Sequence, residues 1–252
     1  MSYTLPHPFP IIDIRDENST TKTLRLDGVL EAGPGQFVMA WLPGLADKPF
    51  SLAGADPISL TIAAVGPFSR AIHQLRVGDR LWVRGPLGQG FSLPPAEAGT
   101  GHLLLIGGGY GVAPLLFLAR LALAQGHAVT MIIGARRRED LLLADAFEAL
   151  GVSVWLTTED GSAGLKGLVT EAIPAVLAQS SAQPTAIYAC GPTGMLAAIA
   201  AQTGPANIPV QLAWEAHMRC GLGLCGSCEV GAGWLTCLDG PVFKFDPEQI
   251  SP

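Results

Sequence analysis

The sequence contains few charged residues and few aromatic ones. Asp, Glu, Lys and Arg make up 14% of the chain and aromatic residues 7%, and 15 basic residues are outnumbered by 21 acidic ones, for a net charge of −6. The basic residues are scattered, apart from Arg136, Arg137 and Arg138. Nucleic-acid-binding proteins present a concentrated basic surface. The composition therefore excludes DNA or RNA as a partner.

Long apolar runs are also lacking. No stretch reaches the roughly 20 residues that a membrane-spanning helix needs. The first residues, MSYTLPHPFPIIDIRDEN, contain neither the basic nor the apolar region of a secretion signal. We therefore expect a cytoplasmic protein with no membrane partner. With 252 residues, 49% of them hydrophobic, the chain is long enough for two compact domains and a small appendage.

Cysteine is scarce but concentrated. Four of the five cysteines fall in the window CGLGLCGSCEVGAGWLTC, with the spacing C-x4-C-x2-C-x8-C. This spacing is typical of the four thiolate ligands of a plant-type [2Fe–2S] cluster. The glycines between the cysteines permit the positive φ angles of a tight binding loop. The sequence thus predicts an iron–sulfur cluster bound by Cys220, Cys225, Cys228 and Cys237.

Other uses of these cysteines remain open from spacing alone. A structural zinc site usually presents two C-x2-C knuckles, whereas only Cys225 and Cys228 form one here. Disulfides between cysteines so close together would be strained, and they are typical of secreted proteins. The cysteines could also be small buried side chains without a common role.

Residues 1–98 contain short β-rich segments separated by turns with glycine and proline, a pattern that predicts a small antiparallel β-barrel. A short helix is predicted over 70–75, with Ser69 as its N-cap. The predicted strands cover 11–15, 21–26, 36–41, 59–64 and 80–84.

Two features of this first region are candidate binding sites. The segment Lys48-Pro49-Phe50-Ser51 leads from a loop into a strand and offers a cation and a hydroxyl beside an aromatic ring. The helix start at Ser69 offers unpaired backbone N–H groups to an anion such as pyrophosphate. On composition and spacing alone, each could equally be an ordinary loop or helix cap.

Residues 99–215 alternate apolar strands with helical runs, which predicts a doubly wound parallel sheet. Ligands of such sheets bind beyond the carboxyl ends of the strands. The first strand ends in the run GGGYG and a later strand ends in CGP, so a dinucleotide site is predicted at Gly107, Gly108, Gly109, Gly111, Cys190, Gly191 and Pro192. The glycine run departs from a strict G-x-G-x-x-G, and therefore a plain strand–helix turn and a merely buried Cys190 stay open.

Together these motifs resemble one family, the iron–sulfur electron-transfer subunit of NAD-dependent (type B) dihydroorotate dehydrogenase, within the ferredoxin–NADP reductase superfamily. The resemblance covers nearly the whole chain and is most specific from Cys220 to Phe243, where the cysteines run into LDGPVF. GPLGQGF at 85–91 and GGGYGVAP at 107–114 support it. It implies an FAD-binding barrel at 1–98, an NAD-binding domain at 99–215 and a [2Fe–2S] module at 216–252.

The resemblance also implies roles for individual residues. Lys48, Phe50 and Ser51 fall on the superfamily's R-x-Y-S/T flavin motif, with lysine replacing arginine and phenylalanine replacing tyrosine, and Pro49 lies between them. Gly66 and Ser69 fall on a segment that binds FAD pyrophosphate. The glycine run and the CGP segment would bind the nicotinamide dinucleotide, with Cys190 near the reacting carbon.

The implied partner is an FMN-bearing catalytic subunit that oxidises dihydroorotate to orotate in pyrimidine biosynthesis, in a heterotetramer. At this stage the same relay could serve another flavoenzyme, such as a hydrogenase or sulfide dehydrogenase. A zinc-stapled module that binds a nucleotide and transfers no electrons is a further alternative. Arg136–Arg138 could meet the 2′-phosphate of NADP or form a solvated turn, so the sequence leaves NAD versus NADP and the direction of electron flow open.

Overall fold

The N-terminal region is a closed antiparallel barrel. The computed structural model describes residues 3–95, 99–179, 183–203 and 208–245. The barrel strands follow one another around the closed sheet in the order β1-β2-β5-β4-β3-β6, which confirms the predicted barrel. They are β1 (Tyr3–Asn18), β2 (Thr21–Leu26), β3 (Phe37–Trp41), β4 (Asp47–Ala55), β5 (Ile58–Ala63) and β6 (Arg80–Leu87).

Alternation along the strands explains how the barrel is filled. On β3, Val38 and Ala40 pack into the barrel core, whereas Phe37 and Met39 belong to a separate cluster on the opposite face. Because successive side chains of a strand point to opposite faces, the barrel offers both a closed interior and an apolar outer surface. That outer surface carries the cysteine-rich segment.

The short helix of the barrel starts earlier than the sequence predicts. Helix α1 spans Pro67–Ile72 with Gly66 as its N-cap, so the prediction that Ser69 caps the helix is wrong. Proline has a fixed φ and no N–H, which suits the first helical position. Ser69 lies inside the first turn, and its Oγ accepts a hydrogen bond from the Gly66 N–H at 3.0 Å.

The second region is a sheet with helices on both faces, as predicted. The strand order is β10-β9-β8-β7-β11-β12-β13, parallel except for the last pair. One apolar cluster lies between the sheet and α2 and α3, and another between the sheet and α4 and α5. The elements are β7 (His102–Gly108), α2 (Val112–Ala124), β8 (Ala128–Ala135), α3 (Ala144–Glu148), β9 (Ser153–Thr158), β10 (Leu165–Lys166), α4 (Val169–Gln179), β11 (Ala186–Cys190), α5 (Thr193–Thr203), β12 (Val210–Ala213) and β13 (Val242–Phe245).

The cysteine-rich segment lies between two neighbouring strands of this sheet. β12 and β13 pair antiparallel, with Ala213 opposite Val242. Neither strand is predicted from the sequence. Residues 214–241 are thus an excursion that leaves the sheet edge and returns to it. The predicted domain boundaries at 98/99 and 215/216 stay predictions, and the first of them falls beside residues 96–98, which lie outside the described ranges.

Candidate functional site

The point where the strand order reverses brings the two predicted dinucleotide segments together. The chain runs from β7 outward through β8 and β9, then returns to β11 on the other side of β7. Gly107 at the end of β7 lies directly opposite Cys190 at the end of β11. A Cβ placed on Gly111 would collide with the Cys190 carbonyl. Glycine at 111 therefore lets the turn after β7 cross the end of β11.

A cleft of about 690 Å³ opens at this edge of the sheet. Of the predicted dinucleotide residues, Gly108, Gly109 and Pro192 line it. Gly109 has φ +54°, and a Cβ there would have no atom within 4 Å, so its backbone faces open space that a ligand can enter. Gly107 and Gly191 are buried beneath the cleft, where they pack against side chains.

A smaller cleft of about 290 Å³ lies between the barrel and the sheet. Pro49, Phe50 and Ser51 line it from β4, and Gly111 and Cys190 line it from the sheet side. The structure thus joins the predicted flavin motif to the predicted nicotinamide residues.

Three predicted flavin residues lie outside the linings of both clefts. Lys48 is half-buried on β4, opposite Ala40, while Gly66 and Ser69 form the first turn of α1. Phe68 of that turn stacks on Phe50, with ring centroids 6.2 Å apart. The start of α1 is therefore tied to the smaller cleft, and the roles of these three residues stay predictions.

The two clefts meet at Tyr110 and Glu215. Both residues line both clefts, and the Tyr110 side chain is half-exposed. Neither residue has a role predicted from the sequence, although Tyr110 stands inside the GGGYG run. Glu215 follows β12, so it could not be placed at the site without that strand.

Cys190 is a neutral thiol at the base of the smaller cleft. Burial is the larger cause, and the negative charge of Glu215 the smaller, of a rise in its pKa to about 12. The side chain consequently presents an uncharged, polarizable surface at physiological pH. Such a surface suits contact with a flat aromatic ring.

Charge at the far end of the larger cleft is mixed. Arg136 and Arg137 line it together with Asp140 and Glu159. Arg137 is already engaged, since its guanidinium lies 2.6 Å from Glu139 and 3.3 Å from Asp140. Carboxylates favour a ribose 2′-hydroxyl over a 2′-phosphate. The Asp140 and Glu159 carboxylates at this end of the cleft fit a ribose 2′-hydroxyl, and the Arg136 guanidinium in the same lining fits a 2′-phosphate.

The cysteine-rich segment lies on the outer face of β3 and β6. Cys228 and Cys237 are buried in a cluster with Phe37, Met39 and Met218, whereas Cys225 is exposed. The turn after Cys220 fits closely, because a Cβ on Gly221 would lie 3.1 Å from Met39 Cγ. Gly221, Gly223 and Gly226 all have positive φ, as the sequence predicts.

The four thiols lie close together, with Cys220 beside Cys225 and Cys228 beside Cys237. Hydrogen bonds from Ser227 lower the pKa of Cys225 to about 6, and Cys220 contributes further hydrogen bonds to the same thiol. Burial is the largest of the effects that raise the pKa of Cys237 to about 11, and a hydrogen bond with Cys228 and the nearby Cys228 and Cys220 thiols act in the same direction. Cys220 therefore neighbours Cys225, and Cys228 neighbours Cys237.

Paired thiols fit a dinuclear cluster, in which each iron takes two cysteine ligands. Backbone donors are in place as well: the Leu222 N–H points to Cys220 Sγ at 3.4 Å and the Gly223 N–H to Cys237 Sγ at 3.2 Å. The residues present thus fit the predicted [2Fe–2S] cluster.

Comparison with known proteins defines the class. Residues 105–201 match the oxidoreductase NAD-binding domain, and residues 215–247 match the iron–sulfur cluster binding domain of dihydroorotate dehydrogenase B. Among the helices of the described ranges, none is long and apolar enough to span a membrane. The structure of an NADH-dependent reduced ferredoxin–NADP oxidoreductase is similar, at 27% identity with a TM-score of 0.82 over 94% of this chain and 87% of that one. Fold and site define a reductase of the ferredoxin–NADP reductase class with an added iron–sulfur module.

Relatives of similar length define the family. A protein of Thermococcus kodakarensis named "probable dihydroorotate dehydrogenase B (NAD(+)), electron transfer subunit" is 42% identical over 93% of this chain and 94% of its own length. A protein of the same name from Methanocaldococcus jannaschii is 39% identical over 94% of this chain and 88% of its own. The chain belongs to the family of dihydroorotate dehydrogenase B electron transfer subunits.

Proposed function

We propose that this chain relays electrons between NAD and the catalytic subunit of dihydroorotate dehydrogenase B, the FMN-bearing partner that the resemblance implies. Nicotinamide exchanges electron pairs as hydride, a [2Fe–2S] cluster exchanges single electrons, and FAD converts one into the other. The relay serves pyrimidine biosynthesis. We also propose a cytoplasmic location, because a reducing compartment keeps the four cysteine ligands available as thiols.

One observation carries this proposal: the three sites are contiguous. The larger and the smaller cleft share Tyr110 and Glu215 in their linings, and Met218 lines the smaller cleft. Met218 packs in the same apolar cluster as Cys228 and Cys237. A nicotinamide, a flavin and a cluster held in these sites would therefore be arranged in the order that the relay requires.

The chain's own residues have separate tasks in this arrangement. The open backbone at Gly109 lies at the start of α2, where N–H groups and the helix dipole favour the dinucleotide pyrophosphate. Cys190 would contact the nicotinamide from the base of the smaller cleft. Phe50 and Ser51 would hold the flavin ring at the barrel side of the smaller cleft, and Lys48 and the start of α1 are our candidates for the FAD phosphates.

The direct test is the cofactor content of protein purified without oxygen. We expect a brown protein with flavin bands and roughly two irons, two sulfides and one FAD per chain. NADH should bleach the flavin bands faster than NADPH does, since Arg137 is already paired with carboxylates. A colourless protein that contains zinc, and that cannot be reconstituted with iron, sulfide and FAD, would contradict the proposal.

An apolar surface next to the cluster ligands fits the catalytic subunit. We call Leu222, Leu224, Trp234 and Leu238 the apolar rim, and their side chains are 50%, 81%, 47% and 54% exposed. They belong to the same short chain segment as the exposed ligand Cys225. Exposed apolar groups clustered in this way mark protein interfaces. We propose that the catalytic subunit covers the apolar rim, which would bring its redox centre towards the cluster.

Substituting Leu224→Asp should weaken binding of the catalytic subunit at least about tenfold, because a charge would be buried in the centre of the interface. Titration of purified catalytic subunit in a calorimeter measures the change. NADH-dependent dye reduction should stay unchanged, since the clefts are not touched. Leu45→Asp is the matched control, at 58% exposure on the barrel. Equal weakening by both variants, or by neither, would rule out the apolar rim as the interface.

A further inference from the structure

Arg84 is a buried cation beneath the cysteine-rich segment. It lies on β6 opposite Met39 of β3, and only 9% of its side chain is exposed. Met39 belongs to the cluster that contains Cys228 and Cys237. The turn after Cys220 rests on the same strand pair, because a Cβ on Gly221 would lie 3.1 Å from Met39 Cγ and 3.3 Å from Leu87 Cδ1. The guanidinium is thus placed under the first cluster ligand.

The hydrogen bonds of Arg84 are incomplete. Its Nη2 donates to the Cys220 carbonyl at 2.8 Å and lies 3.8 Å from Asp47 Oδ2. Its Nη1 is buried and makes no hydrogen bond to any residue in the described ranges. An arginine carries five N–H donors, and a buried donor without an acceptor is unfavourable. The Nη1 donors are therefore available to a further acceptor.

We propose that Arg84 raises the reduction potential of the cluster held by the four cysteines. The inference rests on the proposed function, since it presupposes that cluster. One-electron reduction adds one negative charge to the cluster and breaks no bond. A buried positive charge and a hydrogen-bond donor beside the ligand stabilise the more negative form. Arg84 is a positioning residue, because it acts through the Cys220 backbone and through its charge.

Asp47 provides a charge of opposite sign at the same place. Its carboxylate lies 3.8 Å from Arg84 Nη2, and its side chain is 44% exposed. Solvent screens this carboxylate more than it screens the buried guanidinium, so the positive charge prevails near Cys220. Removing the Arg84 charge should consequently lower the reduction potential of the cluster, whereas removing the Asp47 charge should raise it.

The test is a redox titration of the anaerobically purified chain, monitored by electron paramagnetic resonance, after iron and sulfide have been measured. In Arg84→Gln the ratio of reduced to oxidised cluster at a fixed potential should fall about tenfold, which corresponds to about 59 mV for one electron. Asp47→Asn should shift the potential upward. Arg84→Lys keeps the charge and should stay closer to the wild type than Arg84→Gln does.

Opposite shifts distinguish an electrostatic role from a merely structural one, which would change cluster content or signal shape without this sign pattern. An unchanged potential in Arg84→Gln, or a shift of both variants in the same direction, would overturn the inference while leaving the relay intact. If Arg84→Gln does not retain the cluster, Asp47→Asn decides alone, and an unchanged or lowered potential there overturns the inference. Absence of a cluster from the wild type would instead refute the proposed function.

Discussion

The variant Cys225→Ser is expected to lose electron transfer to the catalytic subunit by at least about 100-fold while retaining NADH-dependent reduction of a dye. Changes around metal ligands alone commonly cost 10- to 100-fold in metal affinity or activity, so loss of a ligand should cost no less. We expect the dye to take its electrons from the flavin in the clefts, which Cys225 does not line. The two activities should therefore separate. Steady-state assays of both on the same preparation measure the effect.

Ser227→Ala is the matched control for this variant. Ser227 lies in the same loop, and its Oγ is 3.2 Å from Cys225 Sγ, but it supplies no sulfur ligand. We expect this variant to keep the cluster and both activities within a few-fold of the wild type. If Cys225→Ser lost both activities equally, the cluster would not follow the clefts in the path of the electrons. The proposed order of the relay would then be wrong.

The variant Gly111→Ala should lower the free energy of unfolding by about 3 kcal/mol or more and abolish NADH oxidation. The added methyl group would meet the Cys190 carbonyl and the Gly191 backbone. A flexible side chain can turn away from such a contact, but two strand ends held by hydrogen bonds cannot. Relief of the clash would have to separate β7 from β11, which would distort both clefts. Denaturant unfolding and NADH oxidation kinetics measure these losses.

Gly194→Ala provides the comparison for Gly111→Ala. A Cβ at Gly194 would meet no atom within 4 Å, although this residue also lines the larger cleft. Gly194 lies in the first turn of α5, where alanine is a good helix former. The free energy of unfolding of the Gly194→Ala variant should therefore differ from that of the wild type by less than about 1 kcal/mol. If Gly111→Ala were as stable as Gly194→Ala, the close crossing of the two strand ends would not be a constraint on the sequence.

The sequence predicts those parts of the molecule that depend on local pattern. The cysteine spacing, the glycine run and the alternation of strands and helices are each contained in short segments, and their predicted architecture agrees with the structure. The wrong N-cap at Ser69 has a local cause too, because Pro67 already provides a helix start two residues earlier. Sites formed by residues that are close together in the sequence can therefore be predicted without a structure.

The remainder depends on contacts between distant residues. β12 and β13 are four residues each, and their pairing joins chain positions nearly 30 residues apart, so no local pattern marks them. Glu215 reaches the junction of the clefts only through β12. Arg84 and Cys220 are separated by 136 residues. Neither the junction of the clefts nor the buried cation under the cluster could be predicted before the barrel and the sheet were placed together.

The pairing of β12 with β13 has a consequence for how the iron–sulfur centre is assembled. Both ends of the 214–241 excursion are fixed by the same sheet, with Ala213 held opposite Val242. The entropy of closing this long loop is therefore offset by strand pairing rather than by iron. The incoming cluster has only to order a loop whose two ends are already anchored. We therefore expect the polypeptide to form this scaffold before the cluster is inserted, so that cluster insertion orders only the loop.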